Sequence, residues 1–310
     1  MSGKFRRVSL LVPAAVLALQ ALPAEAADEP RAFAPSAPWT VISDGESCRL
    51  SRQFGGTEDG ITFALQAFSP AATSYSVILQ GDPLPQRDGG SLEFEFSFNP
   101  DTKATPTTGV LSGGNVRRLT FSTTLETASA LEARRNGERL PAMIDSVREA
   151  AVDEFVIAFS RGRPLSLQLG SMAEPLGRLR ECTAKLPEKW GLDPAVLRSL
   201  SRPAVPIDIG TWLGPGTYPW EYLRNALSVR VHLRLMTDAL GGVSQCIVQS
   251  PRGNNIAGVL ACRELVKTAR FEPALDAGGN PVPSYYTTSI FYLTPRSNGP
   301  LRGESRTQGL

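Results

Sequence analysis

Two stretches of this chain alternate strictly between apolar and polar residues, and a period of two admits only an extended strand with one dry face. In Leu92-Glu93-Phe94-Glu95-Phe96-Ser97-Phe98, the side chains of Leu92, Phe94, Phe96 and Phe98 share one face. Glu93 and Glu95 on the other face are expected to solvate the strand, since a glycosidase needs its two carboxylates across a cleft. In the second stretch Val229, Val231, Leu233 and Leu235 alternate with Arg230, His232 and Arg234. That predicts a strand with one buried face and one wet, basic face, with His232 at the surface. Between the two runs lies SRPAVPIDIGTWLGPGTYP, whose four Pro and three Gly read as a linker. The fold class expected is α+β, with a β-rich domain at 39–202, a linker at 203–217 and a second domain at 218–293.

Further strands are expected at Ile61–Phe68, Tyr75–Leu79, Arg118–Ser122 and Phe155–Phe159 in the first domain, with a turn at Asn136-Gly137. Short helices are expected at 143–152 and after the Asp193-Pro194 start, and a longer one from Ala173 toward Leu186, ended by Pro187. In the second domain Pro219 opens a helix on which Trp220, Leu223 and Leu227 share a face. Gly241-Gly242 turns the basic strand into another at Val243–Gln249. Asn254-Asn255 then caps a helix whose inner face carries Ile256, Val259, Cys262, Val266 and Ala269. The last strand runs from Tyr285 to Leu293. The order is α-β-β-α-β, a three-stranded antiparallel sheet with two helices on one face. Residues 27–38 read as a disordered lead-in, and 294–310, almost without apolar residues, as a disordered tail.

The N-terminus sets the compartment. Lys4, Arg6 and Arg7 precede an apolar run from Val8 to Leu22, about fifteen residues against the ~20 that span a bilayer. Ala24-Glu25-Ala26 is the small-x-small site of a cleaved signal peptide, so residues 1–26 are expected to be removed on export. Three cations and Glu25 leave with it, which takes the formal charge from +2 to zero. In an oxidising compartment the four cysteines suggest two disulfides, with three possible connectivities. The pairing that respects the domains joins Cys48 to Cys182 and Cys246 to Cys262, with buried free thiols as the alternative.

The same residues exclude much familiar chemistry. A single histidine rules out a His-clustered metal site and argues against Ser-His or Cys-His catalysis. There is no CxxC, HExxH or GxSxG, and GTWLGPG fits neither nucleotide-binding glycine spacing. Near-neutral charge and 7% aromatic residues give nucleic acid nothing to bind. No enzyme activity, metal or cofactor is expected.

The second domain resembles a known family. Tyr218-Pro219, the Gly-Gly turn, Ser244-x-Cys246-x-Val248-x-Ser250, Ala269-Arg270-Phe271-x-Pro273-Ala274 and Asp276 to Tyr286 are similar to the C-terminal domain of TonB and its relatives, over about 75 of the 310 residues. The resemblance implies a periplasmic domain that pairs, by strand addition beside its last strand, with the TonB box of outer-membrane transporters. Carried over, the binding edge is Tyr285, Thr287, Ser289 and Phe291, facing outward, while Tyr286, Thr288, Ile290 and Tyr292 face the core. Tyr218 and Pro219 match an element that also contacts the transporter. A homodimer is a further expectation. The chain departs from TonB in lacking a convincing membrane anchor and a proline-rich rod, which puts energy transduction in doubt. An uncleaved N-terminal helix would make it an inner-membrane transducer. A third reading has the first domain bind a ligand or hydrolyse a substrate, with the TonB-like part localising it.

Overall fold

The computed structural model describes residues 29–70, 72–86, 90–98, 105–112, 116–135, 146–225, 227–251, 255–293 and 304–309. The segment expected to direct export and the turn expected at Asn136-Gly137 lie outside them. The first half runs β1 (Arg31–Phe33), β2 (Thr40–Ser43), β3 (Cys48–Phe54), β4 (Ile61–Ala67), β5 (Ser74–Gly81), β6 (Gly90–Ser97), β7 (Thr105–Ser112) and β8 (Arg118–Thr124). It continues with α1 (Ala128–Arg135), α2 (Ser146–Ala151), β9 (Glu154–Phe159), β10 (Leu165–Gln168), α3 (Ala173–Thr183), α4 (Leu186–Lys189) and α5 (Pro194–Arg198). The second half runs β11 (Val205–Ile207), α6 (Trp220–Arg224), β12 (Val229–Thr237), β13 (Val243–Ser250) and α7 (Ile256–Thr268). Then come β14 (Arg270–Glu272), β15 (Ala274–Leu275), β16 (Pro281–Val282), β17 (Ser284–Leu293) and β18 (Glu304–Gly309). The chain is α+β.

The first ten strands form one sheet in the order β1-β10-β9-β6-β7-β8-β5-β4-β3-β2. It curls back on itself: Pro35 bridges to Phe54, Ser36 N–H donates to the Gln53 carbonyl at 2.9 Å, and Gly55 N–H donates to the Ala34 carbonyl at 2.9 Å. Curling encloses the dry face of β6 as its alternation requires. Phe94 lies 4.8 Å from Phe121 between ring centres, and Phe63 lies 5.1 Å from Phe155. Glu93 and Glu95 are exposed. Aromatic side chains therefore fill the interior with edge contacts, each pair adding about 1 kcal/mol beyond its buried area. The Cys48–Cys182 disulfide ties β3 to α3, with Cα atoms 6.1 Å apart.

In the second half a four-stranded antiparallel sheet has the order β13-β12-β17-β18. Along the chain α6, β12, β13, α7 and β17 follow one another, and the sheet has four strands where three were expected. Residues 304–309, expected to be disordered, pair with Thr288–Leu293. A polar strand of this kind needs no buried face, because its backbone hydrogen bonds to a neighbouring edge are enough to define it.

The segment read as a linker also belongs to this domain. β11 pairs with β14, and Trp212, 1% exposed, packs 5.1 Å from Phe271 while its Nε1 donates to the Ile207 carbonyl at 2.8 Å. Pro and Gly here shape an irregular but packed segment, which composition cannot distinguish from a free linker.

The inner face of α7 is rotated from the one expected. Ala257, Gly258, Ala261 and Leu265 are buried, whereas Ile256, Val259 and Val266 are 40%, 59% and 41% exposed. Small residues let the helix lie close on β13. A Cβ at Gly258 would meet the Val248 methyls at 2.8 and 2.9 Å. That approach also lets Cys246 on β13 bond to Cys262 on α7, with Cα atoms 5.3 Å apart. Trp220 on the short α6 is 66% exposed, and Leu227, also placed on its face, lies beyond its end. Gly241 turns at φ +80°, where a Cβ would lie 2.0 Å from the Phe271 carbonyl oxygen. The Gly-Gly turn is thus a close crossing as well as a reversal.

Candidate functional site

The strand expected to bind a partner is β17. Its residues Ser284 to Tyr292 pair with β12, from Thr237↔Ser284 to Val229↔Tyr292. Alternate residues point to opposite faces, so Ile290 and Tyr292 join the core under α7 with Thr288, fully buried, on the same face. Tyr286 packs 5.2 Å from Phe271. This division of faces is as expected, but the other face is not open. Thr287, Ser289 and Phe291 are 4%, 1% and 7% exposed, and Tyr285 is half-buried.

The first domain covers that face. His232 stacks on Phe68 with ring centres 3.9 Å apart and planes 13° from parallel. The Arg234 guanidinium lies 4.2 Å from the Trp190 ring centre, and its Nη2 donates to Glu46 Oε1 at 3.1 Å. Gln249, fully buried, donates from Nε2 to the carbonyls of Glu46 at 2.8 Å and Phe68 at 3.0 Å. Trp190 packs its edge 5.1 Å from Tyr285, and its Nε1 donates to the Gly45 carbonyl at 2.9 Å. Arg230 lies 4.4 Å over the Phe291 ring on the same face.

The expected wet, basic face of β12 is therefore an interdomain contact, with Arg230, His232 and Arg234 at 8%, 3% and 5% exposure. Cations and an imidazole can be buried there because aromatic faces and one carboxylate replace part of their water. Burial, with the Arg230 charge, pushes the His232 pKa down to about 3, so the ring is neutral near pH 7. Burial also lowers the Arg230 pKa to about 10 and raises that of Tyr285 to about 12.

The remaining sequence candidates have partners within the chain. The Tyr218 hydroxyl donates to the Leu227 carbonyl at 3.0 Å and its ring meets Tyr292 edge-on at 5.1 Å, so burial raises its pKa. Pro219 is buried at the start of α6. Both side chains are buried within the second domain. The four cysteines form the two expected disulfides. Among the described residues no group of three or more His, Cys, Asp or Glu could hold a metal ion, and no helix is long and apolar enough to cross a membrane. An open groove of about 470 Å³ in the first domain is lined by Ser36, Gln53, Gly55, Gly56, Thr57 and Thr62 among others, with no titratable side chain.

The feature that sequence reasoning missed is the occupant of the outer side of β17. Six residues, Thr288 to Leu293, are paired there with Gly309 to Glu304. Ser284 to Thr287 have no strand on that side among the described residues. The site is thus a backbone ladder, six of whose ten residues are paired by the chain's own residues 304–309. No family model, curated protein or solved structure gives a match to this chain.

Proposed function

We propose that this chain is an exported, non-enzymatic periplasmic protein whose TonB-like C-terminal domain binds an extended segment of an envelope protein beside β17. The partner class is the N-terminal segment of TonB-dependent outer-membrane transporters, so the function belongs to transmembrane transport. What carries the reading is the outer ladder of β17, six residues of which take an extended segment through their backbone. The α-β-β-α-β order and the buried Phe271 and Ala274 of the RFxPA run agree with the resemblance and support it. Strand addition asks the partner for free N–H and C=O groups at alternate positions. The buried Thr287, Ser289 and Phe291 do not read the partner's side chains, so selectivity falls to the residues that flank an added strand.

The test is calorimetric titration of the chain, starting at Ala27, with synthetic N-terminal peptides of transporters from the same organism. Each peptide is also made in two N-methylated forms, blocking one or the other set of alternate amides. Strand addition predicts that one form loses binding while the other keeps it, because only alternate amides face β17. Equal binding by both forms, or none by any peptide, overturns the reading. N-terminal sequencing of the native protein tests release into the periplasm: a start at Ala27 supports it, and retention of residues 1–26 overturns it.

A further inference from the structure

The outer ladder of β17 is filled by the chain itself, and what fills it has a particular chemistry. Residues 304–309 read Glu-Ser-Arg-Thr-Gln-Gly, with no apolar residue and no proline. Every position from Glu304 to Gly309 has a partner on β17, from Leu293 to Thr288 in unbroken antiparallel register. A strand without apolar side chains has no hydrophobic gain to hold it. Its seat rests on main-chain hydrogen bonds to β17, on its approach to the segments Ile209–Thr211 and Pro215–Thr217, and on the tether that keeps it near. Ten residues separate Leu293 from Glu304. A tether of ten residues holds the tail at an effective concentration on the order of millimolar, so a weak strand can occupy the ladder for much of the time. A ladder position takes one strand at a time.

We propose that residues 304–309 are a built-in competitor for the partner-binding ladder of β17, so that a partner segment binds by exchanging with the chain's own tail. The proposal rests on the strand-addition reading above and adds its regulation. It also narrows the partner: a segment that replaces Glu304–Gly309 needs about six residues with no proline at the alternate positions whose N–H groups face β17, and it can be polar throughout. Ser284–Thr287, unpaired on that side among the described residues, give an incoming strand a place to start before the tail leaves. When the tail fills the ladder, the apparent affinity for any partner falls by the fraction of molecules in which the ladder is open.

The experiment uses the chain from Ala27 and the variant R306P/T307P. Adjacent residues of a strand point their N–H groups to opposite sides, so one of the two prolines removes a ladder donor whichever way the strand faces. In the unaltered chain, nuclear Overhauser contacts between the backbones of Ile290 and Thr307, or of Phe291 and Arg306, are expected; their absence overturns the proposal without any variant. In R306P/T307P, amides of Thr288–Leu293 should exchange with deuterium faster. A synthetic peptide of residues 303–310 should then bind the variant and not the unaltered chain. Circular dichroism in the near ultraviolet checks that both remain folded. Unchanged amide exchange in a folded variant, or failure of the peptide to bind it, overturns the proposal.

Transporter peptides separate this result from the reading beneath it. They should bind the variant about tenfold more tightly than the unaltered chain, as expected when roughly nine ladders in ten are closed. Equal affinity for the two chains removes the competitor and leaves strand addition standing. Binding of the tail peptide with none of any transporter peptide keeps the self-occupied ladder and removes the transporter as partner.

Discussion

β6 and β12 carry the same kind of sequence and meet opposite fates. Both alternate apolar and polar residues, and both bury the apolar set. The polar set of β6 includes Glu93 and Glu95, which are exposed. The polar set of β12 is Arg230, His232 and Arg234, which are buried beneath the first domain. A period of two therefore sorts residues onto two faces without saying what covers either face. Cover is decided by the partners a second domain brings, here Glu46, Phe68 and Trp190.

The comparison can be tested from its largest consequence downward. The two disulfides fasten the two halves separately, and the longer loop constrains the unfolded chain more. Replacing Cys48 and Cys182 together by alanine should cost about 5 kcal/mol in denaturant unfolding, and replacing Cys246 and Cys262 about 3 kcal/mol. Equal losses would mean that native-state contacts, rather than loop closure, set the difference.

Next comes Glu46, whose carboxylate meets the buried Arg234. Glu46→Ala leaves that cation without this carboxylate and should cost about 3 kcal/mol. Glu95→Ala on the open face of β6 should cost no more than about 0.5 kcal/mol. If urea unfolding gave the two variants similar losses, the contrast between the strands would collapse.

Acid sharpens the same contrast. The His232 ring titrates at about 3 in the folded chain against 6.5 for a free imidazole, because burial disfavours its charged form. The unfolded chain thus binds a proton that the folded chain refuses. Stability from this group is whole above pH 6.5 and falls, by up to about 1.4 kcal/mol per pH unit, as the pH drops toward 3. His232→Leu should remove that part of the acid slope. Urea midpoints of the two chains at pH 7.5 and 5.0 measure it, and parallel slopes would place His232 in water after all. The smallest expected effect is at Val259, 59% exposed on α7, where Val259→Thr should change stability by about 0.5 kcal/mol or less. A loss above 2 kcal/mol would restore the inner face expected from the spacing.

Much of the architecture was legible. β4, β5, β6, β8, β9, β12, β13 and β17 all fall where alternation or β-branched runs point, and Asp193 caps α5 by accepting from Ala195 N–H at 2.7 Å. Both disulfides follow from the division of the chain into two folded halves. The outer ladder of β17 was half legible: the division of β17 into two faces was right, but its outer neighbour was missing. β18 lacks any apolar signal, and a strand made by backbone pairing alone leaves no period to read. The contact of Gln249 with the Glu46 and Phe68 carbonyls was equally silent, since it joins residues far apart in sequence and depends on how two domains meet.

By itself the sequence determined which side chains of the alternating strands share a face, because the strand period follows from backbone geometry. It also determined the cysteines available to staple each half. Only the tertiary structure decided that the basic face of β12 is dry and that the ladder of β17 is occupied. Both depend on surfaces meeting across long stretches of chain, where burial and backbone pairing are set by the neighbour rather than by local order.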